Sequence, residues 1–405
     1  MPRERPANQP AAGSGELLHL IRQGRASTRA ELIEVTGLAR STVAQRLDAL
    51  RARSLILDAG ENPSTGGRPP TVFAFNRDAG VVLVADLGVT HCRLAAVDLG
   101  GRPLAELATD LAIDQGPEPV LDWVRHRFAE LLEQAERRMA DVRGIGVGLP
   151  GPVEFASGKA VHPPLMPGWD GFSIPDWFAR GRSQRRRGKR RDIPVLVDND
   201  VNIMAIGEHW MHWRDAPHLL FVKVGSGIGC GVIAGGAIHR GAQGAAGDIG
   251  HIQVTEREDA KCHCGNVGCL EAVAGGLAMA KQLTSKGIPA STSRDVVRLA
   301  RGGNREATLL VREAGRVLGQ VLAAAVNLVN PGVIVIGGDV AHAHEQLLAG
   351  AREELYRRSL PLATRHLRIV RSELEDRAGI TGAAVMVIEH ILSPEAIDRS
   401  LAEEG

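Results

Sequence analysis

Three of the chain's five cysteines fall within eight residues, Cys262-His-Cys264-Gly-Asn-Val-Gly-Cys269, and thiols gathered so tightly force a compact loop. Gly265 and Gly268 permit the turns that bring Cys264 and Cys269 together. The sequence shows no export signal, which favours a metal site over disulfides. Three thiolates and the imidazole of His251 complete a tetrahedral Zn²⁺ shell. His263 competes as the fourth ligand, although it points away if Cys262 and Cys264 face one ion. Free thiols in a loop are the plain alternative. Four protein ligands leave no open position, so this zinc is expected to be structural.

The N-terminal segment has its own pattern. Residues 1–13 read as a disordered leader and 14–77 as a compact unit. Leu17, Leu18 and Ile21 mark one amphipathic helix. Thr28-Arg-Ala-Glu31 fits a capping box, so a second helix starts there and runs to about Val35. Gly37 ends it. A third helix is expected from about Arg40 to Arg53, with Val43, Leu47 and Leu50 on its buried face and no capping side chain at Ala39. Helix, glycine turn and helix make a helix-turn-helix pattern. The start of the third helix offers Arg40, Ser41, Thr42, Gln45 and Arg46 to base edges. Two short strands, Leu55–Leu57 and Thr71–Phe75, flank a Gly66-Gly67-Arg68-Pro69-Pro70 wing whose Arg68 suits a minor groove. Residues 1–77 hold eleven Arg, no Lys and seven Asp or Glu, net +4, whereas the whole chain is +1. Double-stranded operator DNA is the expected partner; a dimerisation or docking module is the alternative.

At 405 residues the chain exceeds one ordinary core, so two or three domains are expected. Aromatic residues make up 3%, which argues against stacked single-strand recognition. Polar residues and Pro331 break the longest apolar stretch, Val317–Gly338, so no membrane span is expected, and the location is read as cytoplasmic.

Beyond residue 80, apolar runs alternate with glycine turns. Val81–Ala85 reads as a buried strand ending in Asp86-Leu-Gly88-Val-Thr90, a turn suited to a magnesium-bound phosphate. A helix is expected at about Glu118–Met139. Pro194-Val-Leu-Val-Asp-Asn199-Asp200 delivers Asn199 and Asp200 to a strand end, where sites in α/β sheets gather. Asp200 there suits a general base toward a sugar hydroxyl; an Asn-Asp turn is the alternative. Gly225, Gly227 and Gly229 form a hairpin able to surround a phosphate, or a plain turn. Gly337 and Gly338 end another buried strand.

In this order and spacing the motifs resemble the ROK family (repressors, open reading frames, kinases), above all Gly244-Ala-Ala-Gly-Asp-Ile-Gly-His251 and Cys262-x-Cys264-Gly-x-x-Gly-Cys269-Leu-Glu271. The resemblance is closest to the subgroup that joins a winged helix-turn-helix, mostly α, to a two-lobed α/β actin-like sugar-kinase (ribonuclease H-like) fold. It implies a first lobe at 78–200, with a C-terminal helix 380–395 packing back on it, and a second lobe at 201–379 carrying the zinc loop. It implies Asp200 as catalytic base if the chain is a kinase, and Asn199, Asp200, Asp248, His251 and Glu271 as sugar ligands. Asp86, Gly88, Thr90, Gly225, Gly227, Gly229, Gly337 and Gly338 would contact ATP or its phosphates. His251, Cys262, Cys264 and Cys269 match the zinc ligands, with His251 steadying the sugar through its other nitrogen.

Four departures bear on activity. Val89 replaces a glycine at the phosphate turn, Asp248 replaces a longer Glu, an Asn before Leu-Pro-Gly-Trp is missing, and Asp339 replaces a third glycine beside the nucleotide. They count against Mg-ATP turnover more than against sugar binding. The leading expectation is a sugar-responsive regulator, a repressor acting as a homodimer or homotetramer. A working ATP-dependent sugar kinase (hexose or N-acetylhexosamine) and a DNA-bound scaffold with a dead pocket are the other readings. Residues 180–191 pack eight basic side chains into twelve positions, a solvated loop or an auxiliary phosphate contact.

Overall fold

The structure, a computed structural model, describes residues 13–61, 71–180, 193–256 and 258–403. Arg68 and its wing, residues 1–12 and residues 181–191 of the basic run lie outside the described residues.

Helices α1 (Ser14–Arg22), α2 (Arg29–Thr36) and α3 (Arg40–Ala52) open the chain. The Thr28 capping box forms: the Glu31 N–H donates to Thr28 Oγ1, and the Glu31 carboxylate accepts from the Thr28 N–H at 3.0 Å. Gly37 ends α2 at φ +67°, a conformation glycine adopts without a Cβ clash. Strands β1 (Ile56–Glu61) and β2 (Thr71–Phe75) pair antiparallel behind the helices. Leu17, Leu32, Val43, Leu47, Leu50 and Phe73 form the buried core of this unit.

Next come β3 (Val81–Leu87), β4 (His91–Asp98), β5 (Pro103–Asp110), α4 (Pro117–Gln134), β6 (Val142–Leu149), the small hairpin β7 (Val153–Glu154) and β8 (Lys159–Ala160), α5 (Ile174–Arg180) and β9 (Val195–Asn199). The first sheet has the order β5-β4-β3-β6-β9. Helix α4 stops earlier than its sequence pattern suggests, because Glu136 turns into the left-handed region at φ +54°. Helix α6 (Asp200–His212) leads to the second sheet. That sheet, in the order β12-β11-β10-β13-β14, comprises β10 (His218–Val224), β11 (Ile228–Ala234), β12 (Ala237–Ile238), β13 (Val333–Gly337) and β14 (Arg368–Arg371). The two sheets share one pattern, an antiparallel strand beside the first strand on one side and parallel strands on the other.

Helices α7 (Leu270–Ala274), α8 (Gly276–Ser285), α9 (Ser293–Arg301), α10 (Arg305–Val329), α11 (His344–Arg358) and α12 (Pro361–Thr364) accompany the second sheet, and α13 (Ala378–Ile391) and α14 (Pro394–Ala402) close the chain. No single helix among the described residues is long and apolar enough to cross a membrane.

Strand β3 is apolar at successive positions because it is covered on both faces. Leu83 and Ala85 join the α4 side of the core, while Val82 and Val84 join the α13 side. Helix α13 lies so close to β6 that a Cβ on Gly144 would stand 2.4 Å from Val387, and one on Gly146 would stand 2.8 Å from the Ala383 carbonyl. The alternating glycines of β6 therefore make room for a helix.

Candidate functional site

A cleft between the two sheets holds a cavity of about 450 Å³. Asp86, Gly88, Asn199, Asp200, Gly225, Gly227, Gly229, Asp248, His251, Glu271, Gly337 and Gly338 all line it, so the fold brings together residues as far apart in sequence as 86 and 338. Thr90 is the exception. It sits at the exposed tip of the β3–β4 turn and is not among the lining residues. A phosphate contact from its side chain is therefore not supported.

Asp200 is the first residue of α6 and is buried. Its Oδ2 lies 2.5 Å from the Lys223 ammonium at the end of β10. Sequence reasoning missed Lys223, although one charge in an otherwise apolar strand, two residues before a glycine turn, was a usable signal. Burial disfavours the Lys223 cation, but Asp200 and Asp86 outweigh that and raise its pKa. The Asp86 carboxyl is pushed up to about 7, mainly by burial, with Lys223 opposing.

Asn199 caps α6: its Oδ1 accepts from the Val201 N–H at 2.9 Å, and its Nδ2 donates to the Gly151 carbonyl at 2.9 Å. Glu271 reaches from α7 to the glycine hairpin and accepts from the Ile228 N–H at 3.0 Å. A Cβ on Gly227 would stand 2.1 Å from this carboxylate, so a side chain there would displace Glu271. His251 faces two ways. Its Nδ1 lies 3.4 Å from Cys262 Sγ, and its Nε2 lies 3.9 Å from the Asp248 carboxylate.

On the phosphate side, local structure already accounts for several glycines. The Gly88 N–H donates to the His91 carbonyl, and the Gly225 N–H to the Gly227 carbonyl. A Cβ on Gly337 would strike the Phe221 ring at 2.5 Å, and one on Gly338 would approach the Val224 carbonyl at 2.7 Å.

The ligand atoms of His251, Cys262, Cys264 and Cys269 lie within 4.8 Å of one another. Three thiols and one imidazole suit Zn²⁺, and the donor set fills a tetrahedron. His263 is exposed and outside this cluster. A bound zinc would pin the loop to His251, in the short 3-10 turn Ile249–His251, and so to the cleft wall.

In the N-terminal unit, Arg40, Ser41 and Gln45 are exposed on α3, while Thr42 and Arg46 are half-buried. Arg46 Nη1 is buried with no hydrogen-bond partner among the described residues. The unit is fastened to the C-terminal helices: the Gly15 N–H donates to Asp398 at 2.9 Å, and Arg22 pairs with Glu389 at 2.7 Å.

The ROK family model matches residues 82–390. The chain belongs to the ROK family. The xylose repressor of Caldicellulosiruptor bescii is 28% identical over 93% of this chain and 95% of its own. A ROK family transcriptional regulator described as a homolog of the E. coli MLC protein superposes with a TM-score of 0.80 at 25% identity, over 96% of this chain and 98% of the other. The ROK family glucokinase of Streptomyces griseus, solved with glucose and AMPPNP, gives 0.64 at 25% identity, over 76% of this chain and 99% of that one. This chain therefore has the two-lobed fold of the ROK kinases with an N-terminal helical unit ahead of it.

Two departures from the ROK pattern now have surroundings. Val89 lines the cleft beside Gly88. Asp339 is not bare: Ser293 Oγ donates to it at 2.7 Å and Arg294 stands 3.5 Å away. Burial alone would raise its pKa, yet these partners hold it below the usual value.

Proposed function

We propose that this chain is a sugar-responsive transcriptional regulator, a repressor, whose ROK domain binds the effector. One observation carries the reading. Helix α3 directs Val43, Leu47 and Leu50 into its core and leaves Arg40, Ser41 and Gln45 exposed, and this unit is joined to α13, which packs against the cleft-lining helix α6. Similarity to named repressors over both parts of the chain supports it.

The route between the sites is short. Helix α6 begins at Asp200 and crosses α13 where a Cβ on Gly382 would stand 1.6 Å from the Ile203 carbonyl. Helix α13 carries Glu389, the partner of Arg22 in α1. A sugar that closes the cleft would shift α6, then α13, then the DNA-binding unit. Helix-turn-helix proteins read paired half-sites, so we infer a homodimer or a dimer of dimers. In this reading Asn199, Asp200, Asp248, His251 and Glu271 hold the sugar, the metal cluster steadies His251, and Gln45 and Arg46 contact DNA.

The second reading is an active ATP-dependent sugar kinase, favoured by Asp200 in the cleft and by the glucokinase likeness. ADP release with Mg-ATP across pentoses, hexoses and amino sugars separates the two. The regulator reading expects none; turnover that disappears in Asp200→Ala would establish the kinase.

A further inference from the structure

The cleft carries a surplus of acidic side chains. Among its described lining residues, carboxylates outnumber lysine and arginine side chains by two to one. Each arginine on the wall already has an acid. Arg93 stands 3.6 Å from Asp376, Arg294 stands 3.5 Å from Asp339, and Arg371 pairs with Glu375. His91 has its pKa lowered by burial and by the nearby Lys223, so it adds no cation at neutral pH. Lys223 is bound to Asp200.

A phosphate brought here would meet surplus negative charge and, among the described residues, no unpaired lysine or arginine. A hydroxyl meets something else. The Lys223–Asp200 pair offers an N⁺–H donor beside a carboxylate acceptor, and both point into the cavity. One sugar hydroxyl can accept from the ammonium and donate to the carboxylate at once. The same pairing stabilises the ionised carboxylate and opposes its taking a proton from that hydroxyl.

We propose that Lys223 is a ligand-contacting specificity residue that, with Asp200, selects an uncharged sugar and excludes its phosphate esters and nucleoside triphosphates. The inference rests on the reading of this cleft as a sugar-binding site. It adds which chemical form of the sugar the site accepts, and why the geometry disfavours phosphoryl transfer.

The test is the thermal unfolding of the full chain, zinc-loaded, with unphosphorylated pentoses and hexoses, with the phosphate ester of each, and with Mg-ATP. The expected result is stabilisation by at least one neutral sugar, with its ester at least tenfold weaker and no shift from Mg-ATP. Lys223→Thr is expected to lose at least tenfold in affinity for that sugar. Lys223→Arg, which keeps the cation if threonine impairs folding, is expected to retain the discrimination against the ester. Equal or tighter binding of the ester, stabilisation by Mg-ATP, or unchanged sugar affinity in Lys223→Thr overturns the proposal while leaving sugar binding intact. No shift from any sugar or ester removes the sugar-binding reading itself, and the proposal with it.

Discussion

Arg22 Nη2 lies 2.7 Å from Glu389 Oε1, and this contact joins the first helix of the DNA-binding unit to α13, the helix packed against the cleft-lining α6. Arg22 is mostly buried and also stacks over Phe75 at 5.4 Å, whereas Glu389 is partly exposed. A pair of this kind contributes about 1 kcal/mol or less to stability. Its larger effect is expected on communication. Arg22→Ala should lower the melting temperature by a few degrees and leave sugar affinity unchanged. It should reduce the effect of sugar on DNA affinity at least twofold, as read by fluorescence anisotropy on labelled DNA.

The metal cluster yields a second prediction. Purified protein should hold one zinc per chain, released by a strong chelator. Cys269→Ser should lower the melting temperature and weaken sugar binding roughly 10–100-fold, because His251 loses the ion that orients its ring toward the cleft. Zinc well below one per chain, or sugar affinity indifferent to its removal, would contradict the cluster's role.

The crossing of α6 and α13 admits no side chain at Gly382, where a Cβ would stand 1.6 Å from the Ile203 carbonyl. The obstacle is backbone and cannot rotate away. Gly382→Ala should destabilise the protein by roughly 3 kcal/mol through overpacking, measurable by urea denaturation.

Asp86 predicts a pH dependence. Its carboxyl titrates near 7 in the folded chain, against an ordinary value of 3.8. Between these values the folded state holds a proton that the unfolded state has lost. Its stabilising contribution is complete below 3.8 and lost as pH rises through 7. Asp86→Asn removes that loss, so its stability relative to the wild type should be greater at pH 8 than at pH 5. A pH-independent difference in melting temperature would contradict the raised value.

Much of this was legible in residue spacing. The Thr28–Glu31 capping box and the apolar stripe of α3 are local signals, and local signals survive folding. The metal cluster was legible because its ligands sit close in sequence, and the gathering of His251 with the three thiols, which leaves His263 outside, favours His251 of the two histidines. The cleft was harder. Lys223 is one charge in an otherwise apolar strand, on the same face as the buried Leu219 and Phe221, and only the approach of α6 shows that Asp200 is its partner. Gly337 and Gly338 suggested a nucleotide, whereas Phe221 and the Val224 carbonyl already require them to be glycine. Thr90 belonged to the same motif as Asp86, but the turn sends it to the surface.

Sugar in the cleft is expected to change DNA binding. The direct measurement selects a duplex from a random pool with the full chain, then titrates that duplex with and without the neutral sugar that stabilises the protein. The expected result is a change in Kd of fivefold or more, of either sign, with DNA binding weakened by Arg46→Ala whether sugar is present or not. An identical Kd at saturating sugar, from protein that binds both, would contradict it.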